Sequence, residues 1–153
     1  MMLTSFSFAL AIQSAPAPNS DGKSEDSIIK ALYQVISGPA EEKRNWDRFR
    51  GLFGPKATLS ALVKNKEGKT VCVIMTPEDY ITRSGPWLEK NGFFEKETKR
   101  RFQKSGNLVN VMSDYESRKL AEDKKPFEKG TNSLQLYFDG TRWFIHTVLW
   151  EGA

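Results

Sequence analysis

An Asp-Gly pair between two strand-like stretches constrains the fold of this chain more than any other feature of its sequence. Asp139 and Gly140 separate Thr131–Phe138 from Thr141–Trp150, and both stretches are rich in aromatic and β-branched residues. A two-residue Asp-Gly connection between such stretches is the strongest short-range signal for a β-hairpin. The sequence therefore predicts two antiparallel strands, and the rest of the chain must supply a surface that covers one of their faces.

A two-residue turn would also fix which residues of the hairpin face each other. Phe138 would pair with Thr141, and Asn132 with Thr147, which places most of the apolar side chains on one face. That inward face would carry Asn132, Leu134, Leu136, Phe138, Thr141, Trp143, Ile145 and Thr147. The other face would carry Tyr137, Phe144, His146 and Trp150, with Ser133 opposite His146. We expect the first face to pack against helices, and the second is too aromatic to be plain surface.

Three helices are predicted ahead of these strands. They span about residues 25–36, 40–53 and 77–91, and Ser24 and Thr76 are the expected N-caps of the first and third. In the second helix Trp46, Phe49 and Phe53 form one apolar stripe. In the third helix we expect Gly85-Pro86 to break or kink the chain.

Four more strands complete the predicted architecture. They are Thr58–Val63, Thr70–Met75, Phe93–Lys104 and Leu108–Arg118, and the polar loop Lys119–Gly130 leads from the last of them to the hairpin. Helices therefore come early and a curved antiparallel sheet comes late, which is typical of the α+β class.

Composition excludes several classes of protein. The 153 residues fit one domain, and a single Cys and a single His exclude an internal disulfide and a zinc site built from Cys and His. Cys72 lies among apolar strand residues, so we expect a buried, inert thiol. No apolar run is long enough to span a membrane. We expect no cofactor and no bound metal.

The charge pattern does not indicate a nucleic-acid partner. The net charge is +4, and the basic excess lies mainly in Glu95–Lys104, with a second basic stretch at Arg118–Lys129. No recognition module of a nucleic-acid-binding protein accompanies these stretches. We interpret them as solvated hairpin segments rather than as a groove that tracks phosphates.

The first residues have the composition of an export signal. Residues 1–15 contain the apolar stretch Leu3–Ile12 with an Ala-x-Ala-like cleavage sequence, and residues 16–24 are rich in linker residues. We therefore expect a secreted or periplasmic protein. No basic residue precedes Lys23, which keeps a cytoplasmic protein as the alternative.

The order of elements resembles that of the nuclear-transport-factor-two-like superfamily, whose fold is shared by ketosteroid isomerases and SnoaL-like cyclases. Asn45–Phe53, Val111–Glu116 and Gly130–Trp150 carry the likeness. The resemblance implies one domain over residues 25–151, a cystatin-like cone in which N-terminal helices pack in a curved antiparallel sheet around a pocket. It also implies a homodimer through the outer sheet face, which would use Tyr137, Phe144, His146 and Trp150.

Five residues are candidates for lining such a pocket: Trp46, Tyr80, Tyr115, Asn132 and Trp143. Trp46 and Trp143 also fit the hydrophobic core. Asn132, a polar residue on the inward face, either holds the loop Phe127–Gly130 or presents its amide to a ligand. The hydroxyls of Tyr80 and Tyr115 would point into the pocket.

Two functions remain open from the sequence. The first is an exported module that binds a small molecule or a partner in an aromatic-lined pocket and has no evident catalytic set. The alternative is an enzyme like an isomerase, dehydratase or cyclase that acts on an apolar carbonyl compound. That enzyme needs one inward acid with a raised pKa among Glu95, Asp114 and Glu116, whose orientation the pattern does not fix.

Overall fold

The structure is a computed structural model in which residues 20–152 are described. The predicted export segment, residues 1–15, and most of the predicted linker therefore lie outside the described residues. The main elements are α1 (Glu25–Ile36), α2 (Trp46–Arg50), β1 (Phe53–Lys64), β2 (Thr70–Met75), α3 (Pro77–Asn91), β3 (Phe94–Ser105), β4 (Leu108–Arg118), β5 (Glu128–Phe138) and β6 (Trp143–Gly152). This order confirms the predicted succession of helices and strands.

The strands form one six-stranded sheet in the order β2-β1-β6-β5-β4-β3. All neighbours are antiparallel except β1 and β6, which pair in parallel, with Leu59 opposite Val148. One face of the sheet packs against α1, and its side chains alternate between buried and exposed along β4. The helices and this inner face form a single hydrophobic core, as the α+β prediction requires.

Predicted capping signals determine where α1 and α3 begin. Ser24 Oγ accepts a hydrogen bond from the N–H of Ser27, and Ser27 Oγ accepts one from the N–H of Ser24. Thr76 and Asp79 form the same reciprocal pair at the start of α3. Pro86 does not end α3 as expected, because it is exposed and the carbonyl left without a donor lies on the solvent side of the helix.

The second predicted helix is wrong in extent, since α2 is only one turn long. The buried guanidinium of Arg44 donates to the carbonyls of Gly38 and Leu88, which holds the preceding residues in an irregular loop. Asn45 then caps α2 by accepting from the N–H of Arg48. Phe53, predicted to be helical, is the first residue of β1.

The predicted register of the last hairpin is also wrong. The side chain of Asp139 accepts from the N–H groups of Thr141 and Arg142, so the turn includes four residues and Phe138 pairs with Trp143. A bulge at His146 then shifts the pairing by one more residue.

The new register changes which side chains point inward. Val148 is buried and Trp150 packs against the core, whereas Thr147 faces outward beside Gln135. Trp150 therefore does not belong to the outer aromatic face on which we placed it. Ser133 lies opposite Leu149 instead of His146.

The prediction of a buried Cys72 is also wrong. Cys72 is exposed, because β2 is an edge strand and only its last residue, Met75, is buried. No helix among residues 20–152 is long and apolar enough to span a membrane.

Candidate functional site

A cavity of about 440 Å³ lies between the helices and the inner face of the sheet. Most of its wall is apolar or aromatic: Leu32, Ile36, Phe49, Leu59, Trp87, Leu88, Phe93, Val148 and Trp150. The polar part of the wall consists of Tyr80, Arg83, Ser84, Glu95, Tyr115, Glu128 and Asn132. A concave apolar site with a few converging polar groups is the usual form of a small-molecule pocket.

Glu95, the second residue of β3, places its carboxylate in this cavity. Asn132 Nδ2 donates to Oε1 at 3.2 Å, and Ser117 Oγ donates to Oε2 at 3.3 Å. Burial in the apolar wall, with a smaller contribution from the charge of Glu128, raises the pKa of Glu95 to about 7 although the two hydrogen bonds oppose this. The side chain is partly accessible, because it faces the cavity. Glu95 is thus the inward acid that the enzyme hypothesis requires.

Asn132 connects Glu95 to a buried chain of hydrogen bonds. Its Nδ2 also donates to the hydroxyl of Tyr33 at 3.1 Å, and that hydroxyl lies 2.7 Å from Ser113 Oγ. Ser113 in turn donates to the carboxylate of Glu97. Asn132 therefore does not hold the loop Phe127–Gly130. Its amide is directed at α1 and β3 because it lies on the inward face of β5.

Two tyrosine hydroxyls in the cavity have no hydrogen-bond partner among the described residues. They belong to Tyr80 and to Tyr115, whose side chain is only 3% exposed. Burial raises the pKa of both phenols, and the charge of Glu95 adds to the effect. Both hydroxyls therefore stay protonated near neutral pH and are free to donate a hydrogen bond to a ligand.

The structure brings together three of the five predicted pocket residues: Tyr80, Tyr115 and Asn132. Trp46 does not line the cavity, because its indole Nε1 donates to Glu89 at 2.9 Å and its ring packs on Phe49. Trp143 is a core residue at the other end of the sheet, against Phe138 and under the ammonium of Lys104.

The other two acids considered as a base point away from the cavity. Asp114 forms an ion pair with Arg101 at 2.9 Å. Glu116 pairs with Arg118 and Lys129. Both alternate with the buried residues of β4, whose parity places them outside.

Glu95, Trp87, Glu128 and Trp150 are cavity residues that the sequence analysis did not place there. The alternation of β4 fixes its own faces, but β3 is polar almost throughout and has a register shift after Glu97. The inward direction of Glu95 follows only from its pairing opposite Ser117, a buried residue. Among residues 20–152, no group of His, Cys, Asp and Glu side chains is arranged to hold a metal ion.

The fold and the cavity define a class of protein, a cystatin-like α+β cone with a ligand-sized pocket. A protein of unknown function with a cystatin-like fold from Nostoc punctiforme is 10% identical, with a TM-score of 0.62 over 86% of this chain and 95% of that one. A nuclear-transport-factor-two-like protein of unknown function from Silicibacter pomeroyi is 9% identical, with a TM-score of 0.57 over 84% and 92%.

A third structure, described as a candidate ketosteroid isomerase from Shewanella frigidimarina, is 15% identical, with a TM-score of 0.53 over 80% of this chain and 90% of that one. No family model and no curated protein matches the sequence. The chain has the cystatin-like fold of nuclear-transport-factor-two-like proteins, as its order of elements predicted. Identities this low establish the fold alone.

Proposed function

We propose that the cavity is the active site of an enzyme that transfers a proton on an apolar carbonyl compound, in the manner of an isomerase or a dehydratase. One observation carries the proposal: a carboxyl group lies in an apolar cavity that is also lined by two tyrosines whose hydroxyls have no hydrogen-bond partner among the described residues. A carboxylate can accept a proton, and neutral phenols can donate hydrogen bonds to an oxygen that becomes negative.

The roles follow from the state of each group near neutral pH. Ionised Glu95 removes a proton from the carbon next to the carbonyl, and the electron pair of the broken C–H bond moves onto the carbonyl oxygen. Tyr80 and Tyr115 stabilise that oxygen as hydrogen-bond donors. Protonated Glu95 then returns the proton to the same carbon or to a conjugated one. A pKa of about 7 suits both steps, because the group exchanges protons readily in either direction.

A pocket that only binds a ligand is the second candidate, and the apolar wall favours it equally. A binding site has less use for Glu95, because burying a carboxyl group opposes its ionisation. Glutamine in that place would keep both contacts without a charge, because its amide oxygen can accept from Asn132 and its amide nitrogen can donate to Ser117 Oγ. The variant Glu95→Gln therefore separates the two functions.

The test is deuterium uptake at the carbon next to the carbonyl, measured by NMR in D₂O with aryl ketones and cyclic enones as probes. The full chain should accelerate uptake, and Glu95→Gln should lower the rate by roughly 10²- to 10⁴-fold. Glu116→Gln, a glutamate on the outer face of β4, is the matched control and should change nothing. Probe binding without uptake in the unchanged protein would favour the binding module.

We also propose a homodimer through the outer face of the sheet. Tyr137 and Phe144 stack there with ring centroids 5.5 Å apart, and His146 lies edge-on to Tyr137. Met112 and Leu149 are exposed on the same face, 43% and 37% respectively. An exposed apolar face of this kind is typical of an interface.

Native mass spectrometry of protein from its own host tests the dimer, and it also tests the proposed export. Dimers that dissociate in a Leu149→Glu variant support the interface, and a monomer at every concentration contradicts it. The measured mass shows in addition whether a signal segment near residues 1–15 has been removed.

A further inference from the structure

Two carboxyl groups line the cavity, and neither has a positively charged partner. Glu95 lies inside it, and Glu128, the first residue of β5, forms part of its wall. Every ion pair within residues 20–152 uses other acids. The carboxylate of Glu128 is partly buried and has no hydrogen-bond partner among these residues. Residues 1–19 contain no Lys, Arg or His that could supply a cationic side chain.

The one basic side chain on the cavity wall, in the part of the chain that the structure describes, does not neutralise these acids. Arg83 is exposed on α3, and its charge lowers the pKa of Asp79. The pKa of Glu95 is raised by burial and by Glu128, and that of Glu128 by burial, with no basic group acting on either. The cavity therefore contains two acidic groups, and no cationic side chain among the described residues is paired with either of them.

A buried polar group points independently to a ligand in the same place. Tyr115 lines the cavity and is only 3% exposed. Its hydroxyl has no hydrogen-bond partner among the described residues. Because no fully buried side-chain nitrogen or oxygen among the described residues lacks a partner, this hydroxyl must be accessible from the cavity. A ligand atom in the cavity would supply its partner.

Trp87 and Phe93 line the same cavity wall as Glu128. Trp87, a cavity residue that is 45% exposed, lies edge-on to Phe127 with ring centroids 6.5 Å apart, and Phe127 directly precedes Glu128. Phe93 completes the cluster at 6.3 Å from Trp87 and 6.2 Å from Phe127. A cation over an aromatic ring face is attracted by the ring electrons, and a nearby carboxylate adds to that attraction.

We propose that this cavity takes a ligand that carries a positively charged nitrogen on an apolar body, with Glu128 and Trp87 facing the nitrogen. The substrate class is then an ammonium-bearing carbonyl compound, such as an amino ketone. The apolar wall holds the body of the molecule, while Glu95, Tyr80 and Tyr115 act at its carbonyl end. The carbonyl end rests on the proposed function, whereas the recognition of the cation stands on the cavity itself.

The test compares three probes of similar size by isothermal titration calorimetry with the full chain. They are the phenethyltrimethylammonium ion, its uncharged isostere with a tert-butyl group in place of trimethylammonium, and phenylpropionate. The cation should bind about tenfold more tightly than the isostere. Equal affinities, tighter binding of phenylpropionate, or no binding of any probe would each overturn the inference.

Two variants locate the preference within the cavity. Glu128→Gln should remove most of the advantage of the cation and leave the affinity of the isostere unchanged. Trp87→Leu should weaken the binding of both probes, because it removes part of the apolar wall, but it should weaken the cation more. Glu116→Gln is the matched control, and thermal unfolding of each variant checks that it folds. If both variants keep the full preference for the cation, the assignment to Glu128 and Trp87 is wrong.

The calorimetry is independent of the proton-transfer chemistry. Deuterium uptake into uncharged ketones without any preference for the cation would retain the proposed function and remove this inference. A preference for the cation without deuterium uptake into any ketone would retain this inference and remove the proposed function.

Discussion

Arg44 and Glu95 are both charged groups taken out of bulk water, but the protein treats them in opposite ways. The side chain of Arg44 is 6% exposed, and its guanidinium donates only to backbone carbonyls, those of Ile36, Gly38, Pro39, Glu42 and Leu88. Glu95 receives two side-chain hydrogen bonds and faces a cavity. The guanidinium is fully used by the chain, whereas the carboxylate keeps acceptor capacity for something else.

This difference separates a structural charge from a functional one. The carbonyls around Arg44 come from the end of α1, the loop after it and the end of α3, so one side chain joins three segments of the chain. Glu95 accepts hydrogen bonds from only two side chains, and its buried surroundings disfavour its ionised form. Substitution of either residue, or of its partners, should therefore reveal this contrast in the free energy of unfolding.

Replacing Arg44 should cause the largest loss of stability. Arg44→Met keeps an apolar stem of similar length but removes five hydrogen bonds, among them the donor to the buried Ile36 carbonyl, so the free energy of unfolding should fall by about 3 to 5 kcal/mol. Urea denaturation followed by circular dichroism measures the change. Arg50→Met, which removes an exposed partner of Asp47 and Glu78, is the control and should cause a much smaller loss, because solvent screens exposed ion pairs. Similar losses in both variants would show that Arg44 has no special role.

Replacing Glu95 should stabilise the protein, and only above its pKa. The pKa of Glu95 rises on folding from 4.5 to about 7, so the folded state binds more protons between these values and stability falls as the pH increases. Glu95→Gln abolishes that loss, and at pH 8 it should raise the free energy of unfolding by about 3 kcal/mol relative to the unchanged protein. Below about pH 5 the two proteins should be equally stable.

Glu116 provides a control in which the expected change in stability has the opposite sign. The pKa of Glu116 is lowered, first by its hydrogen bonds to Lys129 and Arg118, so its ionised form favours the folded state. Glu116→Gln should therefore destabilise slightly at neutral pH and have no effect in acid. A stability gain in Glu95→Gln that does not depend on pH would contradict the raised pKa.

Removing the Tyr33 hydroxyl tests whether the Glu95 site also contains a structural part. Tyr33→Phe leaves Asn132 and Ser113 with one hydrogen bond fewer each, and should cost about 1 to 2 kcal/mol in unfolding free energy. Tyr137→Phe removes a hydroxyl on the outer face and should stay within about 0.5 kcal/mol of the original value. Equal effects of the two substitutions would mean that the buried chain of hydrogen bonds adds nothing to stability.

We expect the smallest effect on stability from replacing Glu89, an acid that lies beside Arg44. Glu89 accepts hydrogen bonds from the backbone N–H of Arg44 and from the indole of Trp46, but not from the guanidinium. Glu89→Gln keeps an oxygen for both bonds, so stability should change by less than about 1 kcal/mol at any pH between 5 and 8. A loss as large as that of Arg44→Met would show that the guanidinium depends on this carboxylate rather than on carbonyls.

Local signals were sufficient to predict much of the fold. Caps at Ser24 and Thr76 predicted where α1 and α3 begin, because a capping side chain acts on backbone N–H groups within one turn. The order of helices and strands followed from turns and apolar runs, and the structural comparisons confirm the fold that this order suggested. These features depend on neighbouring residues alone.

The errors lie where a distant partner decides the structure. Nothing near Arg44 in the sequence indicates that its guanidinium will donate to five carbonyls from three segments. The residues before α2 therefore resembled a helix. The bulge at His146 depends on how β6 meets both of its neighbours, and it moved Trp150 from the predicted dimer face into the cavity. Glu95 was one of three acids that local pattern could not orient, because β3 lacks an apolar alternation.

The parallel pairing of β1 with β6 has a consequence for how the chain acquires its structure. Leu59 and Val148 become neighbours although most of the chain separates them, so the two-stranded unit of β1 and β2 cannot join the rest of the sheet until β6 has been made. Contacts between remote parts of a chain slow folding. During synthesis one edge of β1 is therefore unpaired for a long interval, which leaves the nascent chain open to chaperones and to aggregation.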